Sequence, residues 1–100
     1  MNDCCLTLLC PPLDEEKLLD LLLMFAHSAV FTSAPVAAHG VSVGRLSASE
    51  QVLGRARATQ VQVLLPVAAK DELLASIRAQ FAGVGVRYWV TPLLEMEAIA

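Results

Sequence analysis

The strongest constraint on this chain is that it repeats itself. LTLLCPPLDEEKLLDLLLMFA, from Leu6 to Ala26, and VQVLLPVAAKDELLASIRAQFA, from Val61 to Ala82, follow one plan. Each has an apolar run with strand character, a proline-marked turn and an amphipathic helix. At an offset of 56, Leu8 meets Leu64, Leu9 meets Leu65, Leu18 meets Leu74, Leu21 meets Ile77 and Phe25 meets Phe81. Between the copies lies GVSVGRLSASEQVLGRAR, Gly40 to Arg57, which holds three of the seven basic residues and three of the five glycines. It has no run able to build a core, so it reads as a basic loop between two packed halves.

The elements follow in order. Strand one is predicted over Asp3 to Cys10, with Cys4, Leu6, Leu8 and Cys10 on one face and Cys5, Thr7 and Leu9 on the other. Two largely apolar faces suit a central strand. Pro11 and Pro12 end it, since neither can donate to a ladder. Helix one is predicted over Leu13 to Ala26, with Asp14, Glu15 and Glu16 meeting the positive end of its dipole. Its leucines give an apolar face wide enough for more than one neighbour. Strand two, Val30 to Ala38, carries Pro35 and is therefore an edge strand or bulged. Strand three, Ala58 to Leu65, ends at Pro66. Helix two runs from Ala68 to Ala82 and buries Leu73, Leu74, Ile77 and Phe81. Gly83 and Gly85 turn the chain into strand four, Val84 to Val90, which Pro92 ends. The tail, Leu93 to Ala100, is apolar enough to pack.

This βαββαβ order with two alike halves predicts one α+β domain over residues 1–100. It is a ferredoxin-like sandwich, with two helices on one face of a four-stranded antiparallel sheet. The other face then carries Gln60, Gln62, Arg87 and Trp89, a mixture of amide, guanidinium and indole that suits a subunit interface. Composition agrees. The chain is 56% apolar and 17% charged, with a mean hydropathy of +0.59. Typical usage is roughly 45–50% and about 25%. That is more apolar surface than one small core absorbs, so part of it is expected between subunits.

A membrane span is excluded by the same reading. The longest charge-free stretch, Leu21 to Gly44, contains two histidines, Ser28, Thr32, Ser33 and Pro35. Asp3 stands where a secretory leader would be positive, which predicts a cytoplasmic protein. The net charge of -3 argues against nucleic acid as a partner.

Within the loop, Ser47 and Glu50 have capping-box spacing, and Gly54 fits a helix stop. Arg45, Arg55 and Arg57 suit an anion or an acidic patch on a partner. The metal-ligand candidates are His27 and His39, with His39 favoured at the loop base, and Cys4 as the most reachable thiol. A histidine in such a place is more often an ordinary surface or loop histidine, and a free cysteine more often a core thiol. Cys4 and Cys10 share a strand face about 20 Å apart at ~3.3 Å per residue, so they cannot chelate one ion within a chain. No nucleophile–base–acid set is present, and the chain is not expected to be an enzyme.

Four segments together resemble the nitrogen regulatory protein PII family. They are CPPLDEEKLLDLLL, VAAHG at the loop entry, VQVLLP, and the closing RYWVTPLLEMEAI. The nearer likeness is to a PII-like group whose genes tend to sit beside heavy-metal efflux pumps. The resemblance implies a signalling homotrimer with ligand clefts between subunits and a long loop after the second strand that touches the target. It places Gly40 at the base of that loop and Pro66 to Asp71, including Lys70, at a second loop framing the ligand. In PII proteins ATP or ADP occupies the cleft, and a Thr-Gly-x-x-Gly-Asp-Gly-Lys segment helps to cradle its phosphates. Here the equivalent is Ala82-Gly83-Val84-Gly85-Val86-Arg87, without the acid or the lysine, which argues against ATP and ADP. No tyrosine lies in the loop, which excludes tyrosine-directed uridylylation. The expectation is a regulatory trimer that senses a small ligand or transition-metal ion and acts through residues 41–57 on a membrane efflux system. The alternative is a protein that binds metal directly through His39 and cysteine thiols.

Overall fold

The computed structural model describes residues 2–25, 30–40 and 56–100. Four strands, β1 (Asp3–Cys10), β2 (Phe31–Ala38), β3 (Ala56–Pro66) and β4 (Arg87–Leu93), form one sheet in the order β2-β3-β1-β4. Every neighbouring pair is antiparallel. Two helices, α1 (Glu15–Met24) and α2 (Val67–Phe81), complete the βαββαβ order. The fold is the expected ferredoxin-like α+β sandwich.

Strand β1 is central because neither of its faces tolerates water. Leu6 and Leu8 are fully buried, and Thr7 between them is 1% exposed. The core joins Cys4, Leu6, Leu8 and Cys10 to Val61, Val63 and Leu65 of β3, and to Leu18, Leu22, Leu73, Leu74, Ile77 and Phe81 of the helices. Burying each such leucine or isoleucine contributes roughly 1.5–3 kcal/mol. Lys17 ties the helices together. Its ammonium donates to the Gln80 carbonyl at 3.0 Å and lies 4.9 Å from the Phe81 ring centre. A cation there complements the negative end of the α2 dipole.

The structure shifts the internal repeat by one residue. The inward sets superpose at 55, Cys10 onto Leu65, so that Leu6 and Leu8 meet Val61 and Val63, and Leu18 and Leu22 meet Leu73 and Ile77. At 56 the inward Leu8 falls on Leu64, which lies opposite Cys5 on the other face. A slip of one residue exchanges the two faces of a strand. Helices tolerate it, because a wide apolar stripe accepts either neighbour.

The other differences have local causes. A 3-10 turn, Pro12–Asp14, precedes α1, with the Asp14 amide bonded to the Pro11 carbonyl at 3.0 Å, so the α-helix itself starts at Glu15. Leu18 and Leu22 of α1 pack against the sheet and α2, whereas Leu23 and Met24 are exposed. Strand β4 begins three residues later than expected and runs through Pro92, which lies opposite Cys4. Proline is tolerated there because β4 is an edge strand. Val84 and Val86 instead sit in the preceding turn and pack on the core. Pro35 likewise lies in the edge strand β2. Gly83 and Gly85 have φ of +79° and +95°, the region that favours glycine and that this tight α2–β4 turn uses. No helix among the described residues is long and apolar enough to cross a membrane.

Candidate ligand cleft

Antiparallel order brings the C-terminal ends of β1 and β2, the start of β3 and the entrance to β4 to one end of the sheet. An open cleft of about 1570 Å³ lies there. Its lining includes His39, Gly40, Arg57, Gly85, Arg87 and Trp89. Gly40 has φ +79°, and a Cβ added to it would meet nothing within 4 Å, so it serves backbone direction and not close packing.

Two further groups line the cleft, Glu15 and Thr59. Glu15 opens α1, and Thr59 faces inward from β3. The Thr59 hydroxyl donates to Glu15 Oε1 at 2.6 Å, a charge-assisted bond joining β3 to the start of α1. The sequence contains both signals, an acid in a helical first turn and an inward threonine. Their meeting requires knowing that β3 starts beside the end of β1. Cys10 is buried next to them, and burial, with Glu15 and Asp14 adding to it, pushes its thiol up to about 11. It is a protonated core group, not a nucleophile.

The sequence-derived candidates separate into groups. His39, Gly40, Arg57, Gly85 and Arg87 come together at the cleft, and Gly83 stands in the adjoining turn. Pro66 and Lys70 do not join them. Pro66 lies opposite Asp3 at the other end of β3, roughly 35 Å away at ~3.3 Å per residue over the strand. Lys70 pairs with Asp71 at 2.8 Å, a hydrogen bond that raises the lysine and lowers the aspartate from their ordinary values. Cys4 is not a reachable thiol. It is 1% exposed, covered by the helices, and burial raises its pKa against the opposing charge of Lys70. It also stands at the far end of β1 from His39. Among the described residues no three His, Cys, Asp or Glu side chains group as a metal site. His27, Arg45, Ser47, Glu50, Gly54 and Arg55 lie outside the described residues.

The interface candidates do share one face. Thr7 of β1 sits between Gln62 of β3 and Trp89 of β4, and Leu9 sits between Gln60 and Arg87. Helices cover the opposite face, while on this one Thr7 and Cys5 of the central strand are buried and the flanking Gln62 and Trp89 are exposed. Trp89 is 44% exposed on it.

The arrangement is that of a PII-like fold. A nitrogen regulatory PII-like protein from Thiomonas intermedia K12, bound to ADP, AMP and bicarbonate, superposes with a TM-score of 0.74 at 14% identity, covering 99% of this chain and 98% of that one. A putative PII-like signalling protein from Thermus thermophilus gives 0.67 at 13% identity, over 93% and 88% of the two chains. The chain itself belongs to the DUF3240 family, described as proteins of unknown function, whose model matches residues 1–100. A DUF3240 family protein from Shewanella baltica OS155 superposes with a TM-score of 0.83 at 14% identity, covering 100% and 99%. No curated protein matches the sequence.

Proposed function

We propose that this protein is a PII-like regulatory homotrimer of the cytoplasm, with no catalytic step of its own. A small anionic ligand in the cleft sets the state of residues 41–55, and that segment carries the state to a partner. One observation supports the reading above the rest. Both feet of the segment, His39–Gly40 and Ala56–Arg57, open on the same cleft as the turn that leads to Arg87. A ligand held there touches both ends of the segment, so its binding free energy differs between arrangements of the segment, which is what a switch requires. Arg57 and Arg87 supply positive charge and donors for an anion, and His39 adds a ring N–H donor. The Thiomonas protein bound to ADP, AMP and bicarbonate makes those compounds the first to try. By the family resemblance, the partner is a membrane heavy-metal efflux system.

Calorimetry tests the reading with bicarbonate, AMP, ADP and ATP, and with copper, zinc, cobalt and nickel ions. Saturable binding of an anion that Gly40→Trp abolishes is the expected result. ATP is expected to bind weakest, for want of the acid-and-lysine segment. Binding of metal ions alone would replace the reading with direct metal capture. No binding of any of these at millimolar concentration would end it.

A further inference from the structure

Glu15 is the one carboxylate among the described residues that line the cleft, where it stands with Arg57 and Arg87. A carboxylate in an anion cleft works against binding unless the ligand also brings a donor for it. Glu15 is held in place. The Thr59 hydroxyl donates to Oε1 at 2.6 Å, and Thr59 is itself buried in β3, so the bond fixes the carboxylate against the sheet. A hydroxyl gives one proton, whereas a carboxylate has about four acceptor sites, so most of them remain for a donor in the cleft. The positive end of the α1 dipole, which would otherwise draw an anion, is already met by Glu15 and Glu16.

An acid group has its place two residues along β3. Arg57 and Thr59 point to the same face of the sheet, roughly 7 Å apart at ~3.3 Å per residue. Thr59 in turn holds Glu15, so carboxylate and guanidinium lie within the span of one small molecule. Arg57 has an interaction of its own, but one acceptor does not exhaust its five N–H donors. Arg87 pairs with Leu9 on the other face and is not needed for this contact. Pro11, Val84 and Val86 also line the cleft and offer apolar surface to a carbon skeleton.

We propose that Glu15 sets the specificity of the cleft by accepting from a protonated amine, so that the ligand is a small molecule with an amine and an acid group on one skeleton. The acid group pairs with Arg57. Plain oxyanions enter against Glu15 and are held less tightly. An amine is preferred to a hydroxyl because the acceptor is a carboxylate, and hydrogen bonds to ionised groups are roughly twice as strong as neutral ones. This rests on the cleft being the site of a small anionic ligand, as proposed above, and narrows that ligand's class.

Calorimetry with two matched pairs tests this. Ethyl phosphate and 2-aminoethyl phosphate differ only by the amine, and so do propionate and β-alanine. The amine-bearing member is expected to bind about tenfold or more tighter, tenfold being about 1.4 kcal/mol. The pair that binds tells phosphate from carboxylate. In Glu15→Gln the amine-bearing member should weaken by about the same factor, while the plain member stays as it was or tightens. A merely structural role would weaken both alike. Thr59→Val keeps the carboxylate but releases it, and should lower the preference. Arg57→Ala should weaken both members, and unchanged binding would overturn its part. The preference is a ratio measured on one protein, so a variant that folds only in part still reports it. Equal binding within each pair by the wild type, or a preference that Glu15→Gln keeps, would overturn the role of Glu15 while leaving an anion cleft in place. No binding of these compounds or of the anions above would overturn both.

Discussion

Replacing Thr59 with valine removes one hydroxyl from the junction of the sheet and α1 and leaves the shape nearly unchanged. That hydroxyl is 2.6 Å from Glu15 Oε1, on a side chain that is 3% exposed. A hydrogen bond to a charged group contributes about 1.5–3 kcal/mol. Glu15 is only half-buried, so water recovers part of the lost bond and the low end applies, about 1.5 kcal/mol. The methyl that replaces the hydroxyl offsets some of this, at most the ~0.8 kcal/mol of a buried methylene. The net expectation is about 1 kcal/mol, or a melting temperature lowered by about 4–8 °C for a domain of this size. Melting must be compared at fixed protomer concentration, because assembly shifts it. Glu15→Gln keeps an acceptor and should cost less. In a double-mutant cycle the two changes should couple by about 0.5 kcal/mol or more. A Thr59→Val protein that melts within about 1 °C of the wild type, with additive effects in the cycle, would show that the start of α1 is held by its other contacts.

Other outcomes follow from the same geometry and the proposed assembly. Cys10 has its thiol raised from 9.0 to about 11, so the folded state holds its proton more tightly than the unfolded state does. The resulting stability is complete below pH 9 and is lost as the pH rises to about 11. Cys10→Ala should flatten that part of a pH–melting curve, and an unchanged slope would assign it to other groups. Trp89→Asp should weaken assembly in sedimentation, and an unchanged mass would remove Trp89 from the interface. Arg45→Ala with Arg55→Ala should leave melting within about 0.5 kcal/mol of the wild type. The same pair should weaken partner capture from a membrane extract by about 2–5 kcal/mol. Undiminished capture would move the contact elsewhere. Arg57 belongs to β3 and has an interaction of its own, so its removal should also cost stability.

Strand β1 is legible in the sequence because its apolar run stops at a proline pair that cannot donate to a ladder. DCCLTLLC followed by Pro-Pro admits one strand, and Asp3–Cys10 is what forms. Helix α2 is legible through Leu73, Leu74, Ile77 and Phe81, whose spacing leaves one face for the core. Strand β4 is harder. Val84 and Val86 alternate with glycines and mimic a strand, while the true strand continues through a proline. Only its place at the sheet edge makes that proline acceptable, and edge position is a tertiary fact. The offset of 56 fails for a related reason. It matches residue identity, which Leu8 and Leu64 share, whereas their faces differ. Burial, not identity, carries the periodicity of 2.

The cleft is partly legible, and the division is physical. His39, Gly40, Arg57, Gly85 and Arg87 flank turns, and the strand order brings those turns to one end of the sheet. Pro66 and Lys70 also flank a turn, but it is at the opposite end, because α2 begins directly where β3 stops. Antiparallel order alone decides this. Chain entering β1 and β3 lies at opposite ends of the sheet, and the same holds for chain leaving them. Applied to the sequence, that rule moves Pro66 and Lys70 out of the cleft and brings Glu15 and Thr59 into it. A site built from strand ends is therefore recovered by sorting candidates by end before sorting them by chemistry. In this chain the end that collects His39, Arg57 and Arg87 is also the end where both feet of residues 41–55 stand.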